Sequence, residues 1–378
     1  GSFGLVPRPV LKAWQQYQSE LYREPRDFLL REGPELLRAA RERLGRFLGT
    51  DEPNLVFMDN ASMALRAVAE SLPLKPGDEV LITDHDYWVV QHTFRMACER
   101  AGARLVIAKL AVPVVSAAQL LDELFSAVSP RTKLLVFSHV ASPTGILFPA
   151  LEICRRAQRL GLPVCIDGAH AFVMQPVDLG RLGCDYYAAS CHKWCCAPLG
   201  TGFLYVHPKA QPGMRPLVFA HDGHWRDAAW GGTRDITPWL AVPAALDFLE
   251  REGLDAFRAH GHALARHARR RLLEVPGVQA LAPDSPAWYG TMVTCALPAG
   301  ADIAIKDAWW RDHRIEVWVK RWNDLLLMRA SCHLYTREED LDLLARAVRT
   351  ASREWRVERN GVKSPKSKVK SRPSLVGR

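Results

Sequence analysis

Short apolar runs and amphipathic stretches alternate along the first half of the chain. Apolar runs bounded by turn residues are typical of buried strands, whereas apolar positions that recur every three to four residues indicate helices. The predicted strands lie at residues 105–109, 134–139 and 162–166, and the predicted helices at 91–101, 117–128 and 150–160. Such an alternation predicts a parallel sheet that is covered by helices on both faces.

The pattern changes on either side of this region. Residues 10–48 are helical in pattern, with breaks expected at Pro25 and Pro34, because proline lacks the N–H that a helix interior uses. Residues 243–273 are helical again. They precede predicted strands at 288–297, 315–319 and 325–330 and a helix near 303–312. We therefore predict four parts, which are an N-terminal helical segment (1–48), a large domain (49–243), a small C-terminal α/β domain (244–360) and a disordered tail (361–378).

Two predicted strand ends carry residues that suit one kind of chemistry. The apolar run at residues 162–166 is followed by Asp167 and His170. The apolar run at residues 184–189 is followed by Ser190, His192 and Lys193. The carboxyl ends of parallel strands share one edge of a sheet, where ligands bind. A lysine amine can form a Schiff base with pyridoxal 5'-phosphate, and an aspartate can keep the pyridine nitrogen of that cofactor protonated. This combination predicts a pyridoxal-phosphate site.

A third strand end offers a place for a phosphate group. The apolar run at residues 54–58 is followed by a segment in which Asn60 or Ser62 can cap a helix. The first turn of a helix presents unpaired N–H groups and the positive end of the helix dipole, and both attract phosphate. We therefore expect the cofactor phosphate at this turn.

Longer motifs resemble the aminotransferase class V family, and most of all its isopenicillin N epimerase-like branch. They are GSFG (1–4), PLKPGDEVLITDHDY (73–87), SHVASPTG (138–145) and GGTRDITPWLAVPAAL (231–246), and the resemblance extends to about residue 355. It implies the fold type I of pyridoxal-phosphate-dependent transferases, in which a mainly parallel sheet of the seven-stranded type is covered by helices and a smaller C-terminal α/β domain follows. It also implies a homodimer. Because family members usually carry residues before GSFG, we expect that the N-terminus is truncated.

The resemblance assigns roles to individual positions. It implies that either Tyr87 or His85 stacks on the pyridine ring and joins Lys193 and Asp167 in catalysis. Arg329 is expected to bind the substrate α-carboxylate, since a planar guanidinium binds a carboxylate with two hydrogen bonds. The residues expected to bind the cofactor are Ala61, Ser62, Met63, Ser142, Asp167, His170, Ser190, His192 and Lys193, together with Thr233 and Arg234, which would reach across a dimer to the partner's phosphate.

The resemblance also implies chemistry on an α-amino acid, through an external aldimine and loss of the Cα proton to Lys193. Reprotonation on the other face gives epimerisation, loss of a β-substituent gives a C–S lyase, and reprotonation at the cofactor carbon gives transamination. We rank the first two ahead of transamination. A cysteine desulfurase is disfavoured, because residues 301–328 contain no cysteine where those enzymes need a mobile one. Trp88, Trp225 and Trp230 suggest apolar pocket walls, but the substrate cannot be read.

Composition narrows the class of protein. The chain has 378 residues, of which 48% are apolar, and no apolar run approaches the roughly 18 residues of a membrane span. The cysteines form no convincing metal set and suggest a reduced, cytoplasmic compartment. Six of the positive charges behind the net charge of +9 lie within residues 361–378, which disfavours nucleic-acid binding by the folded part. The non-enzymatic alternatives are a cofactor-binding scaffold and a nucleic-acid binder that uses the basic tail.

Overall fold

A seven-stranded sheet forms the centre of the computed structural model, which describes residues 1–218 and 232–359. The strand order is β1-β7-β6-β5-β4-β2-β3. The strands are β1 (Leu55–Met58), β2 (Glu79–Thr83), β3 (Arg104–Ala108), β4 (Thr132–Ser138), β5 (Val164–Asp167), β6 (Tyr186–Ser190) and β7 (Gly202–Val206). The strands from β3 across to β6 run parallel, whereas β7 is antiparallel to both β6 and β1.

Helices bury an apolar core on each face of this sheet. The α-helices of the described residues, in chain order, are α1 (Arg8–Arg23), α2 (Pro25–Asp27), α3 (Gly33–Leu48), α4 (Ala61–Ser71), α5 (Trp88–Arg100), α6 (Ala117–Ser126), α7 (Ala150–Arg159), α8 (Leu179–Leu182), α9 (Thr237–Leu240), α10 (Val242–Glu252), α11 (Leu254–Leu273), α12 (Ile305–His313) and α13 (Glu338–Arg359). Helices α4 and α5 cover one face, and α3, α7 and α10 are among those that cover the other. Fully buried strands explain the continuous apolar runs in the sequence.

A second, antiparallel sheet follows in the C-terminal part. Its order is β10-β11-β9-β8, formed by β8 (Gln279–Ala280), β9 (Met292–Ala296), β10 (Trp318–Trp322) and β11 (Leu325–Ser331). Apolar side chains of α11 and α13 form a separate core against it. The register of the β10–β11 hairpin places Trp318 opposite Arg329. The predicted fold class is confirmed, while the exact domain limits stay a prediction.

Several local predictions differ from the structure, and the strand expected at 288–297 is shorter, at Met292–Ala296. Pro34 does not break the helix, because a π-helix at Phe28–Glu32 continues directly into α3, and Pro34 lies in the first turn of α3, where proline is tolerated. The strand expected at 315–319 begins three residues later, as β10. Within the described ranges, no helix combines the length and apolar character that crossing a bilayer requires. Trp225, Trp230 and the basic tail lie outside those ranges.

Candidate active site

The adjacent strands β5 and β6 bring the predicted lysine and aspartate to one edge of the large sheet. Asp167 is the last residue of β5 and pairs with Ala188 of β6. His170 lies in the turn that follows β5, and Lys193 lies in the turn that follows β6. Their side chains meet, with Lys193 Nζ 3.4 Å from His170 Nε2.

The surroundings of Lys193 favour its neutral amine. Burial lowers the pKa of Lys193 to about 8; the charge of Asp167 opposes this shift, and that of Arg329 adds to it. Burial raises the pKa of Asp167, while the charge of Lys193 and a 2.9 Å hydrogen bond from the Ala169 N–H lower it. Burial also holds the pKa of His170 well below its usual value. Lys193 is therefore suited to act as a nucleophile and as a base.

The first turn of α4 reaches the same edge of the sheet. Asn60 caps the helix, since its Oδ1 accepts from the Met63 N–H at 3.0 Å. The Ala61 N–H donates to Ser190 Oγ at 3.0 Å, and no described residue accepts from the Ser62 N–H. A Cβ at Gly202 would lie 2.8 Å from the Asn60 Cα, so glycine permits this close approach. The turn presents N–H groups and the Ser190 hydroxyl together, as an anion site requires.

His192 lies next to Lys193 with a defined ring orientation. Its Nδ1 lies 3.1 Å from the Thr201 carbonyl oxygen. A carbonyl only accepts, so Nδ1 carries the proton, and a neutral ring presents the lone pair of Nε2 on its other side. Burial and the charge of Lys193 lower the pKa of His192. His192 can therefore donate to an anion through Nε2 only in its protonated form, which a nearby dianion would favour.

Arg329 is a buried cation in the middle of β11. It is 2% exposed, and burial lowers its pKa to about 10. Its Nη1 donates to the carbonyl oxygen and to Oγ of Ser142, and its guanidinium carbon lies 4.8 Å from the ring centre of Trp318. Among the described residues, none accepts a hydrogen bond from its Nε, and no carboxylate forms an ion pair with it. Such a group can bind an anionic ligand with its remaining donors.

A cavity of about 590 Å³ connects this arginine to the lysine. Lys193, Trp194, Trp318 and Arg329 all contribute to its lining, together with the N-terminal residues Gly1, Ser2 and Phe3. Lys193 and Arg329 therefore line one cavity, although they are 136 residues apart in the sequence.

The two aromatic candidates after β2 differ in their surroundings. His85 is fully buried, with Nδ1 2.9 Å from Thr144 Oγ1 and Nε2 3.3 Å from the Leu110 carbonyl oxygen. Tyr87 precedes α5, is half-buried, and contacts the edge of Trp88 with ring centres 5.8 Å apart. Trp88 is 58% exposed and lies outside the lining of the cavity. The side chain of Tyr87 is the more available of the two candidates for stacking on a ligand.

The loop before α9 lies near the first turn of α4 in the same chain. Arg234 forms an ion pair with Asp59, the residue before Asn60, and its guanidinium lies 4.3 Å from the ring centre of Trp239. Thr233 is exposed. This arrangement brings Arg234 close to the expected phosphate position within one chain. Its reach towards a partner subunit stays a prediction.

Three residues of the site were not predicted as parts of it. They are Asp59, which pairs with Arg234, Trp194, which contacts His170, and Trp318, which covers Arg329. The position of Trp194 directly after the lysine was a usable signal. Trp318 could be placed only from the register of the hairpin. Among the described residues, no cluster of histidine, cysteine and acidic side chains is arranged to bind a metal.

Comparison with known proteins identifies relatives over most of the chain. Residues 4–344 match the family described as aminotransferase class-V. An isopenicillin N epimerase from Streptomyces clavuligerus is 37% identical over 368 residues, which cover 92% of each chain. A probable chloroplastic L-cysteine desulfhydrase from Arabidopsis thaliana is 27% identical over 79% of this chain and 67% of its own.

The fold also matches solved structures. The cystine C–S lyase C-DES, in complex with its reaction product cysteine persulfide, superposes with a TM-score of 0.77. The match covers 92% of this chain and 97% of the lyase, at 24% sequence identity. This likeness supports the fold assignment.

Proposed function

Because the chain belongs to the aminotransferase class-V family, we propose that it removes the Cα proton of an α-amino acid and then completes an epimerisation or a β-elimination. The observation that carries the proposal is the shared cavity. It holds a lysine with a lowered pKa at one place and, at another, a buried arginine that pairs with no carboxylate of the described residues. An amino acid has both an acidic Cα–H, which suits the neutral amine of Lys193 as a base, and a carboxylate, which suits the guanidinium of Arg329.

Pyridoxal phosphate is the cofactor, and when bound it accepts the electron pair that remains at Cα after deprotonation. The residues present fit this group. Asp167 has one hydrogen bond from a described residue, so its other oxygen is available to hold a proton on the pyridine nitrogen. The first turn of α4, Ser190 and protonated His192 would hold the phosphate.

Individual side chains of this chain would then have separate roles in binding and proton transfer. Arg329 binds the carboxylate and orients Cα, with its own position fixed by Ser142 and Trp318. Lys193 takes the proton from Cα, since its pKa of about 8 leaves a useful fraction of free amine near neutral pH. The half-buried Tyr87 would stack on the ring and hold it flat.

We rank epimerisation first and β-elimination second. The epimerase relative is more similar to this chain than the desulfhydrase relative, at 37% against 27% identity. A desulfurase reaction remains disfavoured, because residues 301–328 contain no cysteine. Cys332 follows Arg329 but is fully buried, and burial raises its pKa to about 12, which opposes thiolate formation.

The test is solvent isotope exchange at Cα. Holoenzyme is incubated in deuterated water with a panel of α-amino acids that includes isopenicillin N and cystine. Mass spectrometry then reports deuterium at Cα, chiral chromatography reports inversion, and assays for sulfide and keto acids report elimination. Inversion with deuterium uptake supports the epimerase, whereas keto acid with sulfur release supports the lyase.

Two variants make the test specific. Lys193→Ala should abolish exchange, whereas Lys209→Ala should not, because Lys209 pairs with Asp185 and lies outside the cavity. Exchange that persists at the wild-type rate in Lys193→Ala would exclude Lys193 as the base. A panel in which no amino acid exchanges its α-proton would contradict the proposed function.

A further inference from the structure

The indole of Trp194 donates a hydrogen bond to the histidine that contacts the reactive lysine. Trp194 Nε1 lies 3.3 Å from His170 Nδ1, and both side chains are buried. An indole N–H can only donate, so His170 Nδ1 must present its lone pair. A neutral imidazole with a bare Nδ1 carries its proton on Nε2. The tautomer of His170 therefore follows from the identity of its neighbour.

The protonated nitrogen of His170 points at the lysine. His170 Nε2 lies 3.4 Å from Lys193 Nζ. A donor at Nε2 can be accepted by the lone pair of a neutral amine, but an ammonium group has no lone pair to offer. The hydrogen bonds thus run in one direction, from Trp194 through His170 to Lys193, and they favour the neutral lysine.

Ring packing fixes the indole in this orientation. The ring of Trp194 lies parallel to that of His333, with centres 5.8 Å apart, and His333 in turn stacks on Tyr335 at 4.8 Å. The Trp194 carbonyl oxygen lies 3.1 Å from His333 Nε2. The backbone and the ring of Trp194 are both held, which leaves its N–H little freedom to turn away from His170.

We propose that Trp194 is a positioning residue that fixes His170 in the Nε2–H tautomer and thereby aims a hydrogen-bond donor at the reacting end of Lys193. The role of Lys193 as the reacting lysine rests on the proposed function, whereas the tautomer does not. With cofactor bound, the same Nε2–H would be available to an oxygen of the cofactor. Loss of the indole N–H would let His170 carry its proton on Nδ1 instead, and the donor would disappear.

The direct test is the ¹⁵N spectrum of the histidines in the cofactor-free protein, with His170 assigned by comparison with His170→Gln. The wild type should show a protonated Nε2 and a bare Nδ1. In Trp194→Phe, both nitrogen shifts should move towards each other as the second tautomer becomes populated. A wild-type ring with its proton on Nδ1 would overturn the proposal, even if Trp194→Phe failed to fold.

A second readout is the pH at which Lys193 becomes half-reactive in competitive acylation of the cofactor-free protein. Loss of one neutral hydrogen bond should raise this pH by about half a unit to one unit in Trp194→Phe. The charges of Asp167 and Arg329, the groups that shift the pKa of Lys193, stay in place. An unchanged half-reactivity pH together with an unchanged tautomer would mean that Trp194 only packs.

Trp14→Phe is the matched control. The Trp14 indole donates to Thr237 Oγ1 at 3.0 Å, outside the cavity. This variant should leave the His170 tautomer and the Lys193 half-reactivity pH unchanged, while losing a comparable amount of stability. If the tautomer result holds but no amino acid exchanges its α-proton, the proposed function fails and the role of Trp194 stands. If amino acids exchange their α-proton but the tautomer result fails, only the proposed role of Trp194 is contradicted.

Discussion

At the scale of single residues, Arg329 and Asp167 are each buried with fewer partners than a charged group usually has. Arg329 has no described carboxylate partner, and Asp167 receives one hydrogen bond from Ala169. A buried charge without a full set of partners is costly, and the proposed cofactor and substrate would supply the missing partners. The sequence predicted these two residues, because each ends or follows an apolar run. It could not predict Trp318 over Arg329, since that contact depends on strand register.

Arg329→Lys should weaken substrate binding while leaving the cofactor spectrum intact. Lysine keeps the charge but loses the planar two-pronged contact, and a charge-assisted hydrogen bond contributes roughly 1.5–3 kcal/mol. We expect the apparent dissociation constant to rise about 10- to 150-fold. Titration of substrate against the absorbance change measures this rise. A well-folded variant with unchanged substrate affinity would show that Arg329 does not bind the substrate.

Asp167→Asn should retain cofactor but lose most of its Cα deprotonation. The neutral amide no longer favours a protonated pyridine nitrogen, so we expect roughly a 10²- to 10³-fold slower isotope exchange. Asp185→Asn is the matched control, because Asp185 is also buried and accepts from the Val164 N–H at 2.8 Å, at the opposite end of β5 from Asp167. That control should lose stability but keep exchange. Near-wild-type exchange in Asp167→Asn would leave Asp167 with a structural role only.

The pH dependence of Lys193 follows from its lowered pKa. With a pKa of about 8, about half of the amine is neutral at pH 8, against under about 1% for an ordinary lysine. Reactivity in the cofactor-free protein should therefore rise as pH increases through 8. The midpoint should return to the ordinary range in denaturant. Asp167→Asn should lower the midpoint, because the aspartate charge opposes the shift; a rise would contradict this assignment.

At the scale of elements, the start of α4 shows what a local sequence pattern can predict and what it cannot. The capping residues Asn60 and Ser62 were both candidates, and the structure uses Asn60, whose side chain accepts from the Met63 N–H. Local sequence could not decide between them, because both residue types cap helices well and the cap is set by where the helix begins, which is Ala61. Pro34 is the opposite case, since the π-helix continues directly into α3 and a proline is tolerated in the first turn of a helix.

Asn60→Ala should therefore cost both stability and cofactor affinity. Loss of an N-cap costs about 1 kcal/mol of unfolding free energy, and the first turn that is expected to hold the phosphate would fray. Ser116→Ala provides the comparison, since Ser116 caps α6 in the same way, through the Gln119 N–H, and α6 follows β3, at the opposite edge of the large sheet from β1. Both variants should unfold at lower denaturant concentration, but only Asn60→Ala should need more cofactor for half-saturation. If Asn60→Ala and Ser116→Ala have equal cofactor affinity, the phosphate does not bind at the first turn of α4.

At the scale of the whole molecule, the open question is whether each active site is made by one chain or by two. The resemblance predicts a homodimer in which Thr233 and Arg234 reach the partner's phosphate. Within one chain, Arg234 already lies beside Asp59 at the start of α4, which would also allow it to serve its own site. The cytoplasmic location and the dimer both stay predictions.

Subunit mixing distinguishes the two arrangements. Lys193→Ala chains and Thr233→Ala/Arg234→Ala chains should each be inactive alone. If the loop acts on the partner's site, a mixed dimer contains one site with both defects and one with neither, so mixing should restore up to about half of the activity per mixed dimer. If the loop serves its own chain, every site keeps one defect and no activity returns. Sedimentation at the assay concentration confirms that the chains associate, and a fully active monomer would contradict the dimer itself.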